Sequence, residues 1–218
     1  MNSTILILLF YLLSASHSNQ AVKQFSSEWI LSDFVEKHTE GVQLKGNPGI
    51  VDFGSRKAVS FNGSSDAIFL EKMPLTGCEQ FTIEVIFRPA VGGNFAQRFL
   101  HFGEVQGDRV LMELRSKKEG WYLDAFIKTS SGNKTLIDST LIHPTDQWYH
   151  IAYVIDHGKL STYVNHKKEL EGIIEMTPVN RGKTSIGVRQ NETYWFKGDI
   201  FKIRITPEAL KPENFIQK

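Results

Sequence analysis

Residues 148–165, read as WYHIAYVID, HGK and LSTYVN, constrain the fold more than any other segment of this chain. Ile151, Tyr153 and Ile155 share one parity of the first run, and Leu160, Thr162 and Val164 share one parity of the second. Apolar residues at every second position turn one face of a strand toward a core. Two such runs joined by a short glycine-containing loop predict an antiparallel hairpin.

The rest of the chain repeats the theme. From Gly46 onward helical periodicity almost vanishes, and candidate strands follow at 58–61, 67–70, 81–88, 98–102, 109–115, 121–129, 134–139, 148–155, 160–165, 184–188 and 198–205. Turn residues separate them, among them Asn62-Gly63-Ser64, Gly92-Gly93-Asn94, Gln106-Gly107-Asp108 and Ser131-Gly132-Asn133. Short strands with loops of this kind predict an all-β fold, an antiparallel β-sandwich of jelly-roll type. Two helical pieces are expected beside it. One is a capped helix from Ser27, with Ile30/Phe34 and Leu31/Val35 at i,i+4. The other is a single turn opened by Thr206-Pro207.

At 218 residues the chain suits one sandwich domain. Its hydrophobic content of 41% and charged content of 22% are those of a folded protein. A net charge of +1 excludes binding to nucleic acid or an anionic membrane driven by overall charge. Residues 5–13, ILILLFYLL, form an uncharged apolar run followed by small and polar residues, which reads as a signal peptide over 1–18. The run is too short to span a bilayer as a helix. The expected organisation is therefore a signal at 1–18, a lead-in segment at 19–45 and the sandwich at 46–218, in a secreted or periplasmic protein. Cys78 is the single cysteine, so no intrachain disulfide is possible, and it reads as a structural thiol.

Four segments, in order, resemble the bacterial laminin G-like (LamG-like) jelly-roll domains of the concanavalin A-like lectin/glucanase superfamily. Residues 57–66, KAVSFNGSSD, are similar to that family's opening strand and turn, and residues 81–89, FTIEVIFRP, to its next conserved-type strand. The hairpin at 148–165 is similar to the family's "WyHvAvtyDG…lyvNG" pattern, although His166 stands where glycine is usual. Residues 196–205, FKGDIFKIRI, followed by Ala209-Leu210, are similar to its closing strand. The resemblance implies a sandwich fold and leaves function open among glycan binding, protein binding and accessory roles to enzymes.

Retaining glucanases on this fold need two carboxylates about 5–5.5 Å apart, which asks for a spacing near E-x-D-x-x-E on one strand. No such run occurs, and Glu84 and Glu113 stand alone in their strands. A polysaccharide lyase is the enzymatic alternative. It uses Arg or Gln to neutralise a uronate and His or Tyr for the proton. Arg98, His101, Glu113 and Arg115 lie in segments that echo alginate-lyase strands.

Sugar binding needs aromatic platforms beside polar groups on an exposed face or rim. Strand parity turns Arg109, Glu113 and Arg115 to one face of 109–115, and Tyr122 and Asp124 to one face of 121–129. His150 sits on the polar parity of its strand, and the loop 189–195 brings Arg189, Tyr194 and Trp195. The expected glycan groove comprises Arg98, His101, Glu113, Arg115, Tyr122, Asp124, His150, Arg189, Tyr194 and Trp195. A glycan or glycosylated surface is the expected partner, and a protein-adhesion or structural module is the third reading. The resemblance also implies a possible rim calcium site, with Asp66 and Asp199 as its carboxylates. The histidines show no zinc-ligand spacing.

Overall fold

The computed structural model describes residues 26–217, which form two antiparallel sheets packed face to face. In chain order the first strands are β1 (Ser27–Ile30), β2 (Val42–Lys45), β3 (Gly49–Phe53), β4 (Arg56–Asn62) and β5 (Ala67–Leu70). They are followed by β6 (Phe81–Pro89), β7 (Ala96–Gly103), β8 (Arg109–Lys117), β9 (Gly120–Thr129) and β10 (Gly132–Ile137). The last are β11 (Tyr149–Asp156), β12 (Lys159–Val164), β13 (Lys167–Ile173), β14 (Lys183–Ile186) and β15 (Lys197–Thr206). An eight-stranded sheet runs β13-β12-β11-β6-β15-β4-β3, with β1 also pairing β15. A seven-stranded sheet runs β10-β9-β8-β7-β14-β5-β2.

The hairpin at 148–165 forms as its alternation requires. Ile151 pairs with Val164, Tyr153 with Thr162 and Ile155 with Leu160, so the two apolar parities meet across β11 and β12. The loop is two residues, His157 and Gly158, with φ of 46° and 82°. Positive φ at both central positions is the turn whose twist matches the flanking strands. Gly158 is required there twice over, because a Cβ on it would lie 2.6 Å from the Ile174 carbonyl oxygen.

The core fills the space between the sheets. Phe81, Ile83, Val85 and Phe87 of β6 face Val110, Met112 and Leu114 of β8 and Trp121, Leu123, Ala125 and Ile127 of β9. All eleven strands expected from the sequence are present, and four more were not legible in it: β1, β2, β3 and β13. β13 reads KKELEGI and lies at a sheet edge, where charge protects the open backbone and erases the apolar alternation.

Three local expectations are corrected. Residues 27–30 are strand, and the helix α1 (Leu31–Glu36) begins only afterwards, without a side-chain cap. β1 pairs with β15 and β2 with β5, so the sandwich takes in residues upstream of Gly46. Thr206 ends β15 rather than capping a helix, and the closing turn is a 3-10 turn at Pro212–Asn214. The expected signal peptide at 1–18 lies outside the described residues.

The two outer faces are treated differently. The closing segment lies across the outer face of the eight-stranded sheet, where Ala209, Leu210 and Phe215 pack on Ala152, Val154 and Tyr163. Beneath it, the fully buried Glu84 carboxylate accepts from the Ile216 amide at 2.7 Å, His150 Nε2 at 2.9 Å and Arg204 Nε at 2.5 Å. Burial pushes Glu84 upward, but His150, the Ile216 amide and Arg204 together outweigh it and hold the carboxyl below its ordinary range. Glu84→Ala leaves the Arg204 charge and two buried donors uncompensated. Its expected cost is about 3–5 kcal/mol of unfolding free energy, measured by urea denaturation; a loss near zero means that Glu84 does not hold the tail.

Candidate functional site

The seven-stranded sheet keeps its outer face, and β7, β8 and β9 build the site there. The β8 parity opposite Val110, Met112 and Leu114 carries Arg109, Leu111, Glu113 and Arg115. The β9 parity opposite Trp121, Leu123 and Ala125 carries Tyr122, Asp124 and Phe126. Register does the rest: Arg98 pairs with Glu113, Glu113 with Asp124, and Arg115 with Tyr122, so the charged side chains form adjoining rows.

A β-bulge adds the contribution of β7. Arg98 and His101 are three residues apart and would face opposite ways on a regular strand. The register shifts between Arg98 and Leu100, so Phe99 and Leu100 both enter the core while Arg98 and His101 share the outer side.

Ion pairs lock the centre. Glu113 Oε1 lies 3.0 Å from Arg98 Nε, and Glu113 Oε2 accepts from Arg115 Nη1 at 3.0 Å. Arg115 Nη2 reaches Asp124 Oδ2 at 2.5 Å. Burial raises both carboxyl groups above their ordinary values despite these arginines. Arg98, Arg109, Leu111, Glu113, Arg115, Asp124, Phe126, Thr135 and Arg189 enclose an open cavity of about 190 Å³. Glu113 and Asp124 are a carboxylate pair on neighbouring strands, which a search along one strand cannot find. Arg115 bridges both.

The loop from Arg189 to Tyr194 forms the rim. Arg189 and Thr193 close it by a backbone bridge, and the Arg98 amide donates to the Tyr194 carbonyl at 2.8 Å. Arg98 stacks on the exposed Tyr194 ring, its guanidinium carbon 3.8 Å from the centroid. Tyr194 holds φ at 62°, a left-handed conformation uncommon for a bulky residue. His101 supports this loop from below. Its Nδ1 accepts the Gln190 amide proton at 3.2 Å, which leaves Nε2 to donate to the Glu104 carbonyl at 3.3 Å.

Of the expected groove residues, Arg98, Glu113, Arg115, Asp124 and Arg189 line the cavity. Tyr194 stands beside them on Arg98, and His101 lies beneath the rim. Tyr122 is buried next to Arg115, with the Lys117 ammonium 5.1 Å from its ring. Trp195 is half-buried and does not line the cavity. His150 is a correction. It belongs to β11 of the other sheet, is fully buried, and spends Nε2 on Glu84 under the closing segment. Its polar parity reported an outer face, but not which sheet or what covers it. Arg109, Leu111, Phe126 and Thr135 were left out of the expected groove, although Arg109 was already placed on the outward parity of its strand.

Asp66 and Asp199 do not fit a calcium site. Asp66 accepts from the Asn47 and Asn62 amides at 2.9 Å and 3.1 Å, which closes a turn, and Asp199 pairs with Arg88 at 2.6 Å. Among the described residues no three His, Cys, Asp or Glu side chains group as metal ligands. A larger cavity of about 760 Å³ borders Ser26, Trp29 and Leu70, but its flanking acids Glu28 and Glu71 are exposed and paired to Lys202 and Lys183.

An antiparallel sandwich of two sheets in this strand order defines a protein of jelly-roll type. The laminin G-like model of the concanavalin A-like lectin/glucanases superfamily matches residues 62–214, and the chain belongs to that family. Domain 4 of an extracellular GH43 arabinanase from Geobacillus stearothermophilus, solved with arabinotriose, is 24% identical over 77% of this chain and 79% of that one, with a TM-score of 0.59. The CBM40 module of a Ruminococcus gnavus sialidase, solved with sialyllactose, is 15% identical over 72% and 92%, with a TM-score of 0.57. A pentraxin of Limulus polyphemus is 19% identical over 71% and 77%, with a TM-score of 0.56. A comparison with curated proteins finds no match.

His101 makes the site acid-sensitive. Burial, reinforced by Arg189, Arg109 and Arg98, lowers its pKa from 6.5 to about 3. Between those values the unfolded chain takes up a proton that the folded chain refuses, so stability falls as pH falls. This group is expected to cost about 3 kcal/mol between pH 6.5 and 4. His101→Asn keeps an acceptor without the titration, and urea denaturation over that range should show a shallower slope. An unchanged slope removes His101 from this role.

Proposed function

We propose that the protein is an exported carbohydrate-binding module, lectin-like and without chemistry of its own, and that it reads glycans at the outer face of the seven-stranded sheet. The observation that carries this reading is the exposed Tyr194 ring laid on Arg98 at the edge of a cavity lined by charged side chains. A pyranose stacks its C–H face on such a ring while its hydroxyls seek the neighbouring polar groups. Family membership and the carbohydrate-binding solved neighbours support the reading at the level of fold. Export rests on the apolar run at 5–13 and places the protein in the secreted or periplasmic space, where polysaccharides are met.

Internal use of the polar groups favours binding over lyase chemistry. A lyase base must reach a substrate proton. His101 is fully buried, both ring nitrogens are engaged, and a pKa of about 3 makes it a weak base. The test is affinity electrophoresis and a glycan array, with the same polysaccharides followed for absorbance of unsaturated ends. Retention without new absorbance is the expected result. New absorbance overturns the non-catalytic reading, and no retention by any glycan favours a protein-adhesion role. Tyr194→Ala should weaken glycan affinity up to about tenfold, the scale of one aromatic contact, with melting unchanged; wild-type affinity in that variant removes the platform.

A further inference from the structure

We propose that the cavity between β8, β9 and the 189–194 rim is an oxyanion pocket, and that the sugar it takes carries a carboxylate or a sulfate. This rests on the carbohydrate-binding reading and narrows its ligand.

The first argument is an imbalance of donors over acceptors. A guanidinium offers five N–H groups and no acceptor. Four of them, from Arg98, Arg109, Arg115 and Arg189, line one cavity. Arg115 spends Nη1 and Nη2 on Glu113 and Asp124. Arg109 Nη1 donates to the Gly107 carbonyl at 2.7 Å, and Arg189 Nη2 to the Val105 carbonyl at 2.8 Å. Nε and Nη1 of Arg98, Nε of Arg109 and Nε of Arg189 are buried without a hydrogen-bond partner among the described residues. Arg98 Nε lies 3.0 Å from Glu113 as an ion pair but out of line for a hydrogen bond. Buried donors without acceptors are rare and cost stability. All four belong to side chains that line this cavity, so its lining carries more donor capacity than its two carboxylates take up.

The second argument is charge. Four guanidinium groups stand against the two carboxylates Glu113 and Asp124, which leaves +2 in the lining of a chain whose whole net charge is +1. Burial lowers Arg98 below its ordinary value; Glu113 opposes that, and the charges of Arg115 and Arg189 reinforce it. Burial likewise lowers Arg109, with Arg189 and Arg98 adding to the effect. The arginines repel one another at rest, and an anion among them relieves the repulsion.

A neutral sugar does neither. Each hydroxyl brings a proton that needs an acceptor, and the lining sets only two carboxylates, each ion-paired to an arginine, against four guanidinium groups. A carboxylate or sulfate brings only acceptor oxygens, and guanidinium forks match them two at a time. At about 190 Å³ the cavity is smaller than the roughly 300 Å³ of a drug-sized pocket. It suits one charged sugar unit, with the remainder of the glycan outside near Tyr194.

Matched pairs test this on the intact protein: an oligogalacturonate against its carboxyl-reduced form, sialyllactose against lactose, and a sulfated galactan oligosaccharide against its desulfated form, each titrated by calorimetry. The acidic member of at least one pair is expected to bind about tenfold or more tightly, with the preference shrinking as salt rises; which pair responds identifies carboxylate or sulfate. Arg189→Gln and Arg109→Gln should each lower that preference about tenfold, with circular dichroism checking that each variant keeps the wild-type fold. Equal affinity within every pair overturns the oxyanion pocket and leaves the carbohydrate reading standing. Binding to no member of any pair, with no hit on a wider glycan array, overturns both. A preference that survives in both variants moves the anion away from this cavity.

Discussion

The buried Glu84 carboxylate is the interaction on which the asymmetry of this sandwich depends. A jelly roll has two outer faces, and a strand exposed on one of them alternates apolar and polar residues. β6 alternates in polarity but not in burial, because Phe81 through Phe87 are all buried. Its outer side is polar at Thr82 and Glu84, and the chain must satisfy both. Thr82 donates to the Glu208 carbonyl and accepts the Leu210 amide, and Glu84 gathers His150, Arg204 and the Ile216 amide. The closing segment is thus fastened by hydrogen bonds that only buried strand residues can offer. A carboxylate without them would be too costly to bury.

The consequence lies on the opposite face. The chain's own end covers part of the eight-stranded sheet, and the cavity lies on the outer face of the seven-stranded sheet. The chain prepares that face differently, with arginines bridged by two acids rather than with an apolar lid. Glu84 is matched by its partners and falls below its ordinary pKa, whereas Glu113 and Asp124 rise above theirs although arginines flank them. Direct hydrogen bonds to the charged form outweigh burial in the first case; burial prevails in the second. The Glu84 carboxylate is satisfied by direct hydrogen bonds and holds the closing segment, whereas the cavity arginines keep buried donors without a partner among the described residues.

Legibility in the sequence followed the same division. The β11–β12 hairpin was readable because its alternation is local and its turn residues have a backbone reason. β8 and β9 were equally clear, so Glu113, Arg115, Tyr122 and Asp124 could be placed on the parity that faces away from the core. His150 was misplaced for a physical reason. Parity tells a core face from an outer face, but not one sheet from the other, and the cover over β11 comes from residues fifty or more positions away. The edge strands β2, β3 and β13 escaped because water or charge replaces the apolar period there. The bulge at Arg98 hid a further relation, since a regular strand would have set Arg98 and His101 apart.

That bulge also explains how a rigid sheet positions a mobile type of element, a loop. Strand side chains are fixed by register, so Glu113, Arg115 and Asp124 are preorganised without a binding cost for ordering them. Arg189 and Tyr194 belong to a loop and need anchors of another kind. The shifted strand supplies two: the Arg98 amide holds the Tyr194 carbonyl, and the His101 ring holds the Gln190 amide. Both anchors come from the strand on which the bulge lies, and both point toward the loop only because of it. A neutral His101 is the form that can accept the Gln190 proton, and burial keeps it neutral far below its ordinary titration range. The histidine thus serves to position the rim, and the bulged strand β7 helps to turn a charged surface into a cavity.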